Sequence, residues 1–149
     1  MESTEKQTIE EVLRDKGIYI GPTVGVSMLP MLKNRRDTIV VKAKTERLKP
    51  LDVALYKRGD TYILHRVLEA TESGYIIRGD NCYSDEIVPE GAVIGVLTEF
   101  FRKGKHIFCT DKKYINYAKR RVKSYKSRLF FVKVKTKCKR IIKKIIGRK

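Results

Sequence analysis

Acidic residues all but vanish from the last third of this 149-residue chain. Residues 102–149 hold 20 Lys/Arg and one acid, Asp111, whereas residues 1–101 hold 14 Lys/Arg and 16 Asp/Glu. The formal net charge of +17 therefore belongs to the tail. The near-neutral remainder gives no reason to expect nucleic acid, while the tail calls for an anionic partner. Long hydrophobic runs are missing too. No stretch approaches the ~20 apolar residues that span a bilayer. Residues 1–17 are polar and lack the basic-then-apolar build of a signal peptide. The expectation is a cytoplasmic protein, with the tail able to hold it peripherally at the inner membrane face. Cysteine is sparse: Cys82, Cys109 and Cys138 are odd in number and far apart. There is no Cys-x-x-Cys and no Cys/His cluster, so reduced thiols are expected, and neither metal nor organic cofactor is implied. No internal repeat is visible.

What is present reads as one β domain with an appendage at each end. Residues 1–17 are expected to hold a short amphipathic helix over 4–16. Ile9, Val12 and Leu13 share one side, Ser3 or Thr4 supplies the cap, and Gly17 is the stop. Residues 18–108 carry strand-like segments at 18–20, 38–43, 53–56, 62–70, 75–78 and 92–101. Lys57-Arg58-Gly59-Asp60 makes a hairpin turn and Ser73-Gly74 another. Short strands separated by turn residues predict an antiparallel, mainly β fold. Residues 109–149 form the basic tail, with neither Gly nor Pro between Gly104 and Gly147. Ile115, Ala118, Val122, Tyr125, Leu129 and Val132 follow helical spacing, and Phe131, Val134, Cys138, Ile141 and Ile145 continue it one register away. A helix over about 111–146 is expected, with the β-branched run at 132–137 as its weak point.

The chemistry-bearing words lie in the β domain. Ser27-Met28-Leu29-Pro30 ends a glycine-spaced apolar stretch. Leu64-His65-Arg66-Val67 follows on a strand, and Arg78-Gly79-Asp80-Asn81 lies just beyond. Serine, histidine and an acid are the parts of a nucleophilic hydrolase. Strand alternation puts His65 on the face of Ile63 and Val67, where burial keeps an imidazole neutral and able to take a proton. Arg66, on the other face, suits a structural ion pair. Cys82 lies near the site, but no local pattern supports a thiol nucleophile.

Taken in order with Leu48-Lys49-Pro50-Leu51-Asp52-Val53 and Val93-Ile94-Gly95-Val96, these words resemble the serine peptidase group of the type I signal peptidases and the LexA-type self-cleaving repressors. The resemblance runs from about Gly21 to about Phe101. It implies the signal-peptidase/LexA-like β fold, Ser27 as nucleophile and His65 as base, in the branch that uses histidine where others use lysine. It offers Asp80 and Asp85 as alternative acids to orient His65, with Glu86 displaced from the family's spacing. Two features depart from the family. Gly25 stands where many members have a hydroxyl, so the oxyanion would rest on backbone N–H groups, chiefly that of Ser27. The usual membrane anchor ahead of the serine has no counterpart in residues 1–17.

The expected activity is a serine endopeptidase acting on a peptide or protein substrate, with small residues favoured at P1 and P3 by resemblance. An inactive peptide- or membrane-binding accessory domain and a self-cleaving regulator are the alternatives. For the tail, paired isoleucines against paired lysines at 141–146 favour an anionic membrane surface. The aromatics Tyr114, Tyr117, Tyr125, Phe130 and Phe131 keep nucleic acid as a lesser reading.

Overall fold

A computed structural model of the chain describes residues 7–147. The fold is mainly antiparallel β, with a short helix before the sheet and two helices after it. Helix α1 spans Ile9–Lys16, and residues 4–6 of the expected helix lie outside the described residues. Its cap is Thr8, whose hydroxyl accepts from the Glu11 N–H while the Glu11 carboxylate accepts from the Thr8 N–H. This reciprocal box fixes the helix start, and the expected caps Ser3 and Thr4 lie outside the described residues. Gly17 ends the helix in the left-handed region (φ 73°), as glycine at that position allows.

The strands are β1 (Ile18–Pro22), β2 (Thr38–Ala43), β3 (Val53–Arg58), β4 (Thr61–Ala70), β5 (Gly74–Arg78), β6 (Glu86–Pro89), β7 (Val93–Arg102) and β8 (Lys105–Phe108). They form one eight-stranded sheet in the order β1-β2-β7-β3-β4-β5-β6, with β8 added on β7. Period-two alternation along β3 divides the core. Val53 and Leu55 face a cluster with Leu13, Met31, Leu97 and Phe100. Ala54 and Tyr56 face a second cluster with Ile63, Val67, Tyr75 and Ile77. Both sides of β3 are thus covered, and Val53 through Tyr56 are all buried.

Helix α2 (Lys112–Lys123) and helix α3 (Tyr125–Ile146) complete the chain. The expected long helix is interrupted at Ser124, and it runs unbroken through the β-branched residues 132–137. α2 is no loose appendage. Tyr114 and Ala118 are buried, and Tyr114 stacks edge-on against Phe100. No helix among the described residues is long and apolar enough to cross a membrane.

Candidate active site

Ser27 lies on a loop between β1 and β2 that is closed at its neck. Thr23 N–H donates to the Asp37 carbonyl (2.8 Å), and Arg35 N–H donates back to the Thr23 carbonyl (2.7 Å). Asp37 is itself buried, held by Arg36 Nε (2.6 Å) and the Lys33 N–H (2.8 Å). A loop with pinned ends and buried side chains of its own can carry a reactive residue rigidly. Met28, Met31 and Leu32 fill its underside within the first core cluster. Gly25 adopts φ 97°, a conformation open to glycine, and its N–H is taken by Asn34 Oδ1 (3.0 Å).

Gly79-Asp80-Asn81 presses against that loop from the other side. Asn81 N–H donates to the Ser27 carbonyl (2.7 Å), and Asn81 Nδ2 donates to the Val26 carbonyl (3.2 Å). At Gly79 a Cβ would stand 2.9 Å from His65 Nε2, 2.8 Å from the Ser27 carbonyl oxygen and 2.7 Å from Cys82 Sγ. The missing side chain is therefore what lets the His65 ring and the Ser27 turn close on one another. Burial pushes the Cys82 thiol pKa up, away from the thiolate.

His65 is buried on β4 opposite Ala54, with Tyr56 its diagonal neighbour on the same face. Its Nδ1 lies 3.1 Å from the Tyr56 hydroxyl and 3.3 Å from Glu86 Oε1. The Tyr56 hydroxyl donates its one proton to Glu86 Oε2 (2.9 Å), and burial with the nearby carboxylate raises its pKa. Both neighbours of Nδ1 are thus acceptors, so Nδ1 carries the proton and Nε2 keeps its lone pair. Arg58 Nη1 donates to the same Glu86 oxygen (2.9 Å). Burial lowers the His65 pKa below 6.5, against the opposing pull of Glu86.

Asp80 and Asp85, the acids that the resemblance offers, make their direct contacts with arginines. Asp80 is buried and grips Arg66 in a bidentate pair, Nε–Oδ1 2.8 Å and Nη2–Oδ2 2.7 Å, with the Tyr117 hydroxyl also donating to Oδ2 (3.0 Å). Its carbonyl accepts from Arg121 Nε and Arg128 Nη1, each at 3.0 Å. Asp80 thus anchors the loop. Asp85 pairs with Arg78 Nη1 at 2.7 Å. Glu86 is the carboxylate on His65. The physical reason is strand direction: Glu86 begins β6 opposite Ile77, which lies opposite Val67, two residues along β4 from His65.

Ser27, His65 and Glu86 line a cleft of about 440 Å³ together with Thr23, Val24 and Tyr62. A larger cavity, about 570 Å³, is lined by Lys42, Lys44, Arg47 and Cys109 and contains none of these residues. Residues Thr61–His65 pair with β3 on one side, and β5 joins the other side only from Arg66 onward. Among the described residues the cleft therefore lies beside the unpaired edge of Thr61–His65, with Val24 exposed on its serine side. Such an edge offers backbone donors and acceptors to an extended peptide. Set against known proteins, no family model matches the chain and no curated protein does either.

Proposed function

We propose that the protein is a serine endopeptidase working through an acyl-enzyme, with Ser27 as nucleophile, His65 as general base and Glu86 as the acid that orients it. One observation carries this reading: His65 has Nδ1 committed to Glu86 and Tyr56, while Nε2 lies beside Gly79, at a point where a Cβ would also meet the Ser27 carbonyl oxygen. An imidazole fixed in that tautomer is what proton abstraction from a serine requires. The resemblance of Ser27-Met28-Leu29-Pro30, His65-Arg66-Val67 and Gly79-Asp80-Asn81 to the signal-peptidase group supports the same roles for Ser27 and His65.

In this mechanism an extended peptide pairs with the open edge of the cleft. Ser27 Oγ attacks the scissile carbonyl as His65 Nε2 takes its proton. The Ser27 N–H and a neighbouring donor hold the oxyanion. His65 then returns the proton to the leaving amine, leaving an ester on Ser27. Water attacks that ester with His65 again as base, releasing the carboxylic acid and restoring the serine. The inferred place of action is the inner face of a membrane. A peptide-binding domain without turnover is the second reading, and the open strand edge alone would serve it.

A serine-directed acylating probe separates the two. Stoichiometric labelling that is lost in Ser27→Ala, with the melting temperature unchanged, is the expected result. Equal labelling of Ser27→Ala would remove Ser27 from the chemistry.

A further inference from the structure

The second half of α3 carries an apolar face that the fold does not use. In the first turns of this helix, Tyr125 and Leu129 belong to the side turned to the protein body. The Tyr125 hydroxyl donates to the Tyr83 carbonyl (2.7 Å), and the Arg78 guanidinium sits 3.4 Å over the Tyr125 ring. From Phe130 onward the apolar residues change sides. Phe130, Val134, Cys138, Ile141 and Ile145 recur at intervals of four, four, three and four, on the side of the helix opposite Tyr125 and Leu129. Nothing among the described residues covers them. Every residue from Phe130 to Gly147 is exposed, Phe130 by 64% and Ile145 by 68%. Phe131, Ile142 and Ile146 widen this face on one flank, and the opposite side is mostly cationic; seven Lys or Arg fall between Lys133 and Lys144, and no acid occurs after Asp111.

We propose that residues 130–146 form a docking surface for an anionic lipid bilayer. The helix lies in the interface plane with its isoleucine face among the acyl chains and its lysines among the headgroups. This inference is independent of the peptidase reading. Charge decides between occupants. A second copy of the helix would set seven cations against seven with no acid to offset them. A nucleic acid would neutralise the lysines and leave the isoleucines in water, and past Phe131 the helix has no aromatic ring on which a base could stack. An anionic bilayer satisfies both faces at once, since each cation near such a surface is attracted to it and each apolar side chain buried among the acyl chains adds to the binding. The segment spans ~25 Å at the helical rise. The helix is too polar to cross a bilayer and suited to lie upon one. Its first turn is bonded to the carbonyls of Asp80 and Tyr83, in the segment that packs against the Ser27 loop, so docking would bring the cleft to the membrane surface.

The test uses the full chain in co-sedimentation with vesicles of phosphatidylglycerol and phosphatidylcholine, and with phosphatidylcholine alone. The protein should pellet with the anionic vesicles and stay in the supernatant with the neutral ones. The variant I141S/I142S/I145S changes only exposed positions, and it should lose about tenfold or more of the binding at fixed lipid. Cys138 lies on the apolar face and serves as a reporter in a C82S/C109S background. An environment-sensitive dye there should shift to the blue on adding anionic vesicles. The same dye on R140C, on the cationic side, with Cys138 also replaced by serine, should not shift. Failure to pellet would overturn the proposal. So would undiminished binding by the isoleucine variant, equal dye shifts on the two faces, or a dimer that the isoleucine variant abolishes. Loss of vesicle binding to an equimolar 20-base-pair DNA would reassign the surface to nucleic acid.

Discussion

Asp85 and Glu86 are adjacent in sequence and face different partners, so charge removal at each has a different consequence. Glu86→Gln keeps the shape of the side chain but ends its attraction for imidazolium. The expected loss in kcat/KM is about 100-fold, read with a peptide substrate or as the rate of acylation by the probe. Asp85→Asn, on a half-exposed pair with Arg78, should stay within about threefold of wild type. The reverse ranking would return Asp85 to the role that the resemblance offered it. The pH dependence follows from the direction of the His65 shift. Burial holds its pKa below 6.5 in the folded protein, so the neutral base is present at pH 7. The rate should rise with pH along one limb centred below 6.5 and level off above it. Stability should rise through the same window, because the unfolded chain there binds the proton that the folded chain rejects. Glu86 raises the His65 pKa, so Glu86→Gln should move the limb to still lower pH. A pH–rate profile flat from pH 5 to 9 would contradict the assignment of His65 as base.

At the scale of elements, what was legible in the sequence depended on periodicity and turns. The β3–β4 hairpin was readable, because Gly59-Asp60 fixes the turn, and with it the pairing of Arg58 with Thr61. Counting back along that register sets Ala54 opposite His65 and Tyr56 on its diagonal. Tyr56 could therefore have been named from sequence as a neighbour of the base. Glu86 was not reachable in this way. Its strand β6 is four residues long and ends in Pro89, too short for an alternating pattern, and its position depends on the path of the loop 79–85. β8 was missed for the same reason of length. The motif Gly79-Asp80-Asn81 was visible as a word, but its physical content is tertiary. Gly79 makes room for His65, Asp80 grips Arg66, and Asn81 ties down Ser27. In the tail, propensity placed the weak point at the β-branched run, whereas the interruption falls at Ser124. There the contacts of Tyr125 and Arg128 with the carbonyls of Tyr83 and Asp80 redirect the chain, and tertiary contact outweighs intrinsic preference.

At the scale of the whole molecule, the basic tail is two parts with different employment. The charge count treats residues 102–149 as one, yet the structure uses the first part as framework. Tyr114 is buried in the core and its hydroxyl accepts from Arg66 Nη1 (3.1 Å), while Tyr117, Arg121 and Arg128 hold the side chain and carbonyl of Asp80. Truncation should therefore divide into two outcomes. A chain ending at residue 129 keeps these contacts. It should melt close to the full protein and acylate at Ser27 at a similar rate, while failing to pellet with anionic vesicles. A chain ending at Thr110 keeps β8 but strips one side of the buried Arg66–Asp80 pair and opens the core at Phe100. Exposing such a pair and deleting a packed tyrosine costs several kcal/mol, a large share of the stability of a domain this size. It should be recovered poorly or melt at least 10 °C lower, with acylation falling in step. Thermal melts and probe labelling of the two truncations side by side decide the matter. If the shorter chain were as stable and as reactive as the longer one, α2 would be an ornament to the β domain, and its contacts with Asp80 would contribute nothing to the site.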